Sequence, residues 1–200
     1  SVPPFILSSL YDIKRIIVGT EDPHTSTPNL DKLHLLDYYF TNELTLAESP
    51  KFKNVFYCPT AANPEACSKI PIDKIEDQYK SDILFLGAVY PNRKKMLESI
   101  IPFVVKNKLT FKICGHANFV SKNSPLWEYV TDFRTIPHDE TVKYYNGAKV
   151  SLNFFRDIGW NPSTNTKKNP HNKFKFEGQS LNPRSYELGL CGAFQLLEDT

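Results

Sequence analysis

Apolar residues along this chain fall into short blocks separated by polar stretches rich in Pro, Asn and Ser. Ile16-Ile17-Val18 is a continuous apolar run, which predicts a strand over residues 15–19 buried on both faces. A Pro-Pro pair and a short helical-looking stretch precede it. Leu30, Leu33 and Leu36 recur on one side of a turn and predict a short helix over 28–36. Two further strands are expected at 38–41 and 54–58. Strand, helix and strand in alternation argue for a parallel sheet. Residues 63–80 are polar, contain Pro64 and Pro71, and keep no period, as a connection between two domains would.

A second α/β series starts at Asp82. Residues 83–86 read as a buried strand, 87–93 as a loop, and 94–106 as a helix with Met96, Ile100, Phe103 and Val104 inward. Strands follow at 109–114 and 149–155, with a helix capped by Asp139 and ending at Gly147 between them. A long polar loop over 156–180 leads to the last unit. There Asn182 suits an N-cap, Pro183 the first helical position, and Gly192 a left-handed C-terminal cap. Tyr186 and Leu190, with Leu188 as an optional third member, supply its apolar stripe, and 194–197 a short buried strand. The pattern therefore predicts an α/β protein of two parallel-sheet domains, 1–63 and 81–200, joined by a linker at 64–80.

Composition narrows the class. Two hundred residues with 40% hydrophobic and 23% charged side chains describe a globular chain. The net charge of +2 is too small to argue for nucleic acid or an anionic membrane surface. No apolar run approaches the roughly 20 residues that span a bilayer, and no leader sequence is visible, so a cytoplasmic protein is expected. Cys58, Cys67, Cys114 and Cys191 lack Cys-x-x-Cys spacing and are expected as reduced thiols. No Asp-x-Asp occurs, and the histidines and cysteines lack metal-ligand spacing, so no metal is expected.

Candidate chemistry gathers in three places. Arg184 and Glu187, three residues apart, can share one face of the last helix. A helix start with a guanidinium beside it suits an anion, and a carboxylate one turn on can accept hydrogen bonds from a sugar diol. Together they suggest a nucleotide diphosphate with its ribose; a capped helix with a surface salt bridge is the alternative. Gly87 to Arg93 leaves a strand and enters a helix, as a phosphate cradle does, although one glycine makes neither a P-loop nor a dinucleotide fingerprint. Arg93 and Lys94 would face the diphosphate there, or Arg93 is simply solvated. Glu21, Asp22 and His24 form the densest cluster of proton-transfer groups, with loop chemistry as the other reading. Asp22 or His24 is the preferred base. His116 follows a strand and Gly115 and would border the ligand or serve structure; His34 and His138 read as structural. Lys167, Lys168, His171, Lys173 and Lys175, with Phe174 and Phe176, make a basic run that reads as a solvated loop or an anionic-acceptor grip.

Three motifs in order carry a family resemblance: Phe85-Leu86-Gly87 with Tyr90-Pro91-Asn92-Arg93, then residues 144–153, then Arg184-x-x-Glu187 with Cys191-Gly192-Ala193-Phe194. The first half adds Glu21-Asp22-Pro23, Asp37-Tyr38-Tyr39-Phe40-Thr41-Asn42 and Tyr57-Cys58-Pro59. The chain resembles group-1 glycosyltransferases of the GT-B fold, in the branch described as spore-maturation-protein-like. The resemblance implies two Rossmann-like domains facing a cleft, both incomplete in this chain, with 81–200 binding the donor. It implies that Glu187 holds the ribose. A second glutamate carried by many members eight residues earlier is Gln179 here. It implies transfer from a nucleotide-diphosphate sugar, a co-substrate and not a cofactor, to a hydroxyl on a glycan, protein or small molecule, without a metal. A nucleotide-sugar epimerase, or a non-catalytic sugar- or protein-binding relative in a coat or surface assembly, remain the rival readings.

Overall fold

The computed structural model describes residues 3–10, 12–19, 31–155 and 180–198. The chain divides into two compact units, one built on Ser1–Thr60 and joined by residues 180–181, the other on Ala61–Arg156 with Asn182–Asp199. The cluster Glu21, Asp22 and His24, the basic run, and Gln179 lie outside the described residues.

The first unit holds α1 (Pro4–Ser9), β1 (Ile16–Gly19), β2 (Tyr38–Thr41), α2 (Leu44–Ala47) and β3 (Val55–Tyr57). Its three strands are parallel in the order β1-β2-β3, with Ile16 opposite Tyr38 and Phe40 opposite Phe56. Leu7, Leu33, Leu36, Leu46, Tyr39 and Val55 form the core on one face. The expected burial of β1 on both faces is corrected: Ile16 is 57% and Val18 60% exposed. Alternate side chains of a strand point to opposite faces, and only one face carries the leucine core. The described part of the expected helix at 28–36 is a single 3-10 turn, Leu33–Leu35. At the carboxyl end of β2, buried Glu43 caps α2 through Thr45, and Ser180 donates to its carboxylate at 3.1 Å.

The second unit holds β4 (Ser81–Leu86), α3 (Pro91–Lys106), β5 (Phe111–Cys114), β6 (Val130–Asp132), α4 (His138–Gly147), β7 (Ala148–Asn153), α5 (Pro183–Leu190) and β8 (Gln195–Leu197). All five strands are parallel, in the order β6-β5-β4-β7-β8. The chain thus builds outward from β4 through β5 to β6, then returns to the other side of β4 for β7 and β8. Ile83, Phe85, Ile113 and Leu152 pack with Leu97 and Val104 of α3 on one face. Leu84 and Cys114 pack with Tyr144, Tyr145 and Leu188 of α4 and α5 on the other. An α/β fold of two parallel-sheet units is what the strand pattern and the family resemblance implied.

Several local expectations shift. Helix α3 starts at Pro91, so the preceding loop is shorter than expected. Phe103 is exposed, because Leu97, Ile100 and Val104 define the buried face and position 103 lies off it. In α5 the buried positions are Ser185 and Leu188, whereas Leu190 is exposed. Strand β8 is an exposed edge with Leu196 and Leu197 largely in solvent. Two 3-10 turns occur in the expected linker, and Cys67, Ile75 and Tyr79 there are buried against α4. Asp139 lies in the first turn of α4, whose N-cap is Pro137.

Candidate functional site

In an open parallel sheet, the place where strand order reverses leaves a crevice outside the carboxyl ends of the two strands. Here those strands are β4 and β7, which end at Leu86 and Asn153. Beyond β4 the backbone enters a conformation reserved for glycine, with Gly87 at φ +147°. A side chain on Gly87 would overlap the Arg184 guanidinium, whose Cζ lies 3.3 Å from the position a Cβ would take. Gly115, φ +114°, is needed for the close approach of β5 to Gly87, whose carbonyl oxygen lies 2.8 Å from its would-be Cβ. Gly87 therefore clears space for one arginine, and Gly115 clears space for the Gly87 backbone.

Helix α5 supplies that arginine. Asn182 is the N-cap, its Oδ1 accepting from the Ser185 N–H at 3.1 Å, and Pro183 holds the first helical position. At the far end, the Ala193 N–H donates to the Leu188 carbonyl and the Gly192 N–H to that of Gly189, each at 3.0 Å, with Gly192 at φ +65°. A helix so fixed at both ends aims its first turn along the crevice. The Arg184 guanidinium lies 5.8 Å from the centre of the Phe85 ring, and its Nη1 donates to Asn153 Oδ1 at 3.4 Å. Its Nε is buried and has no hydrogen-bond partner among the described residues. An unpaired buried donor of a guanidinium costs free energy, about 1–3 kcal/mol or more for a charged group, so this one is poised for an acceptor that the described residues do not supply.

Glu187 lies one turn along α5. It makes no salt bridge with Arg184 among the described residues; its Oε2 accepts from the Tyr145 hydroxyl at 3.2 Å. Burial holds the Tyr145 hydroxyl well above its ordinary range, with Arg184 pulling the other way and Glu187 adding to the rise. The phenol thus stays a donor and orients the carboxylate. Burial also pushes the Cys191 thiol up to about 11, with Cys67 and the Glu187 charge adding to the rise. A half-buried carboxylate with one oxygen anchored and set among neutral groups presents its other oxygen to an incoming hydroxyl donor.

The remaining sequence candidates occupy other roles. Arg93 is only 7% exposed; its Nε donates to the Phe155 carbonyl at 3.2 Å and its Nη1 to that of Ala88 at 3.0 Å. Its Cζ lies 5.9 Å from the Phe85 ring centre, so both arginines share that ring at one end of the sheet. Arg93 therefore stitches the loop after β4 to the segment after β7. Lys94 pairs with Glu98 at 3.6 Å along α3. His116 is exposed beside Thr135, 2.8 Å from its hydroxyl, at the ends of β5 and β6. The structure thus brings Gly87, Asn182, Arg184 and Glu187 together, with Arg93 behind them; Lys94 pairs along its own helix, and His116 follows Gly115, its carbonyl accepting from the Val89 N–H at 2.8 Å.

Sequence reasoning missed Asn153 and Tyr145. Asn153 is fully buried at the last position of β7. A polar residue closing an apolar strand at the carboxyl edge of a parallel sheet was the available signal.

The comparisons with known proteins can be set beside this geometry. A family model described as glycosyl transferase-like matches residues 93–200. The spore protein CgeB of Bacillus subtilis (strain 168) is 28% identical over 193 residues, covering 94% of this chain and 56% of that protein. The chain thus spans little more than half the length of that relative. Among solved structures, sucrose-phosphate synthase from Thermosynechococcus elongatus overlays with a TM-score of 0.46 at 12% identity, over 74% of this chain and 46% of that one.

Proposed function

This chain belongs to the glycosyl transferase-like family, and from that premise we propose that its second unit binds a nucleotide-diphosphate sugar for transfer to a hydroxyl acceptor. The observation that carries the reading is the Nε of Arg184 at the reversal point of the sheet, buried and unpartnered among the described residues, with the Glu187 carboxylate one turn along the same helix. In this reading the diphosphate meets Arg184 and the first turn of α5, in the space that Gly87 leaves open. The ribose hydroxyls donate to Glu187. As the acceptor oxygen bonds to the anomeric carbon, the bond from that carbon to the phosphate oxygen breaks. The electron pair leaves on the nucleoside diphosphate, where a fixed guanidinium and helix dipole stabilise it without a divalent cation. The acceptor proton passes to a base, for which Asp22 or His24, with Glu21 beside them, is the candidate from sequence.

The test is a binding screen against nucleotide sugars, run with and without a chelator, followed by Glu187→Ala. Charged hydrogen bonds are worth about 1.5–3 kcal/mol each; with water replacing part of that, donor affinity should fall about tenfold to a hundredfold. The 2′,3′-dideoxy nucleotide should bind wild type poorly and the alanine variant almost as well as the normal nucleotide. If the variant still discriminates as wild type does, Glu187 is not the ribose ligand. Donor binding abolished by the chelator would overturn the metal-free reading. Interconversion of free nucleotide sugars without transfer would instead mark an epimerase.

A further inference from the structure

Asn153 is 0% exposed, and its side-chain amide uses its full hydrogen-bonding capacity at the end of β7. Its Nδ2 donates to the Ser185 hydroxyl at 2.9 Å and to Gln195 Oε1 at 3.2 Å. Its Oδ1 accepts from Asn182 Nδ2 at 2.8 Å and from Arg184 Nη1 at 3.4 Å. One side chain thus touches the N-cap of α5, two residues of its first turn, and the first residue of β8. Gln195 closes the circuit by donating from its Nε2 to the Ser185 carbonyl at 3.1 Å.

The same amide fixes a rotamer. Arg184 has Phe85 on one side and the Gly87 backbone on another; its guanidinium donates to Asn153 Oδ1 at 3.4 Å and also engages the Tyr145 hydroxyl. A long side chain in a crevice keeps its head group in place only if something holds it, because each free rotamer it retains is entropy to be lost when a ligand binds. The carbonyl oxygen of Asn153 takes one Nη1 proton, and the Nε keeps no partner among the described residues. We propose that Asn153 is the positioning residue for the anion-binding arginine: it holds Arg184 with its Nε edge turned to the diphosphate. This rests on the reading of Arg184 as the diphosphate ligand.

The experiment is a double-mutant cycle read by calorimetry with inorganic pyrophosphate as the probe, at one low ionic strength. Asn153→Ser is neutral and too short to reach the guanidinium. Arg184→Lys keeps the charge on a side chain that lacks the planar fork. Asn153→Ser should weaken pyrophosphate binding about tenfold in the Arg184 background and less than twofold in the Arg184→Lys background, since coupled residues depart from additivity. A purely structural role would cost the same in both. Equal losses in the two backgrounds, or no loss with Arg184 present, overturn the proposal while leaving Arg184 as the ligand. Absence of pyrophosphate binding by wild type, or binding that Arg184→Lys leaves unchanged, removes the diphosphate reading itself, and this one with it. Thermal melting of each variant checks the fold; should Asn153→Ser not fold, Asn153→Thr, nearer in volume, takes its place in the cycle with the same expected outcome.

Discussion

At the amino end of β4, opposite the crevice, Asp82 joins three strands through one carboxylate. It accepts from the Thr110 N–H at 2.7 Å and hydroxyl at 2.8 Å, next to β5, and pairs with Lys149 of β7 at 2.7 Å. Lys149 first, then Thr110, hold its pKa at about 2, below the ordinary 3.8. A carboxylate lowered on folding contributes stability that is complete above the ordinary value and is lost as pH falls toward the lowered one. The window is therefore between pH 4 and 2. Urea midpoints measured at pH 5 and pH 2.5 should fall further in wild type than in Asp82→Asn, which has no charge to lose. Equal slopes for the two proteins would show that Asp82 contributes nothing to acid sensitivity. The pairing is partly exposed, so its effect at neutral pH is small.

At the scale of elements, the turn from β4 into α3 and the first turn of α5 are made for each other. Gly87→Ala puts a methyl group at φ +147° and into the Arg184 guanidinium. Holding a non-glycine residue in a sparsely populated region costs about 1–3 kcal/mol, so equilibrium unfolding should register a loss of that order. Pyrophosphate affinity should fall with it, because the arginine must move. A variant as stable as wild type would mean that the loop relaxes freely. The same two elements show what sequence can convey. Asn182, Pro183 and Gly192 were legible because caps are local: each acts on groups within a few residues of itself. The buried face of α5 was not, since whether Leu188 or Leu190 turns inward depends on Leu84 and Tyr145, distant in the chain. Arg93 likewise looked free for a ligand, because the carbonyls it serves, at Ala88 and Phe155, are recognisable only once β4 and β7 lie side by side. Arg184 and Glu187 could be placed near each other from sequence because both fall on one short helix.

For the whole molecule, the contrast lies between two sheets, each considered by itself. The second has helices on both faces and a central strand, β4, with Leu84 and Phe85 fully buried. Among the described residues the first has a leucine core on one face, with Ile16, Val18 and Phe56 exposed on the other. Parallel sheets are normally covered on both faces, and burial of apolar area is the main source of local stability. Amide exchange should therefore be slowest in β4 and β7 and at least about tenfold faster in β1 to β3. Equal protection in the two sheets would contradict this ordering.

The strand order also carries a consequence for how the polypeptide is born. A ribosome releases the amino end first, so β4, β5, β6 and β7 are all available before any residue of α5 or β8 emerges. Asn182, Arg184, Ser185 and Gln195, the four partners of Asn153, all come after that point. Until they arrive, the amide at the end of β7 keeps its hydration shell, and the second lip of the crevice has nothing to close on. Arg184 is thus among the last parts of the unit to be set in place, so a growing chain displays its sheet well before the crevice receives its guanidinium.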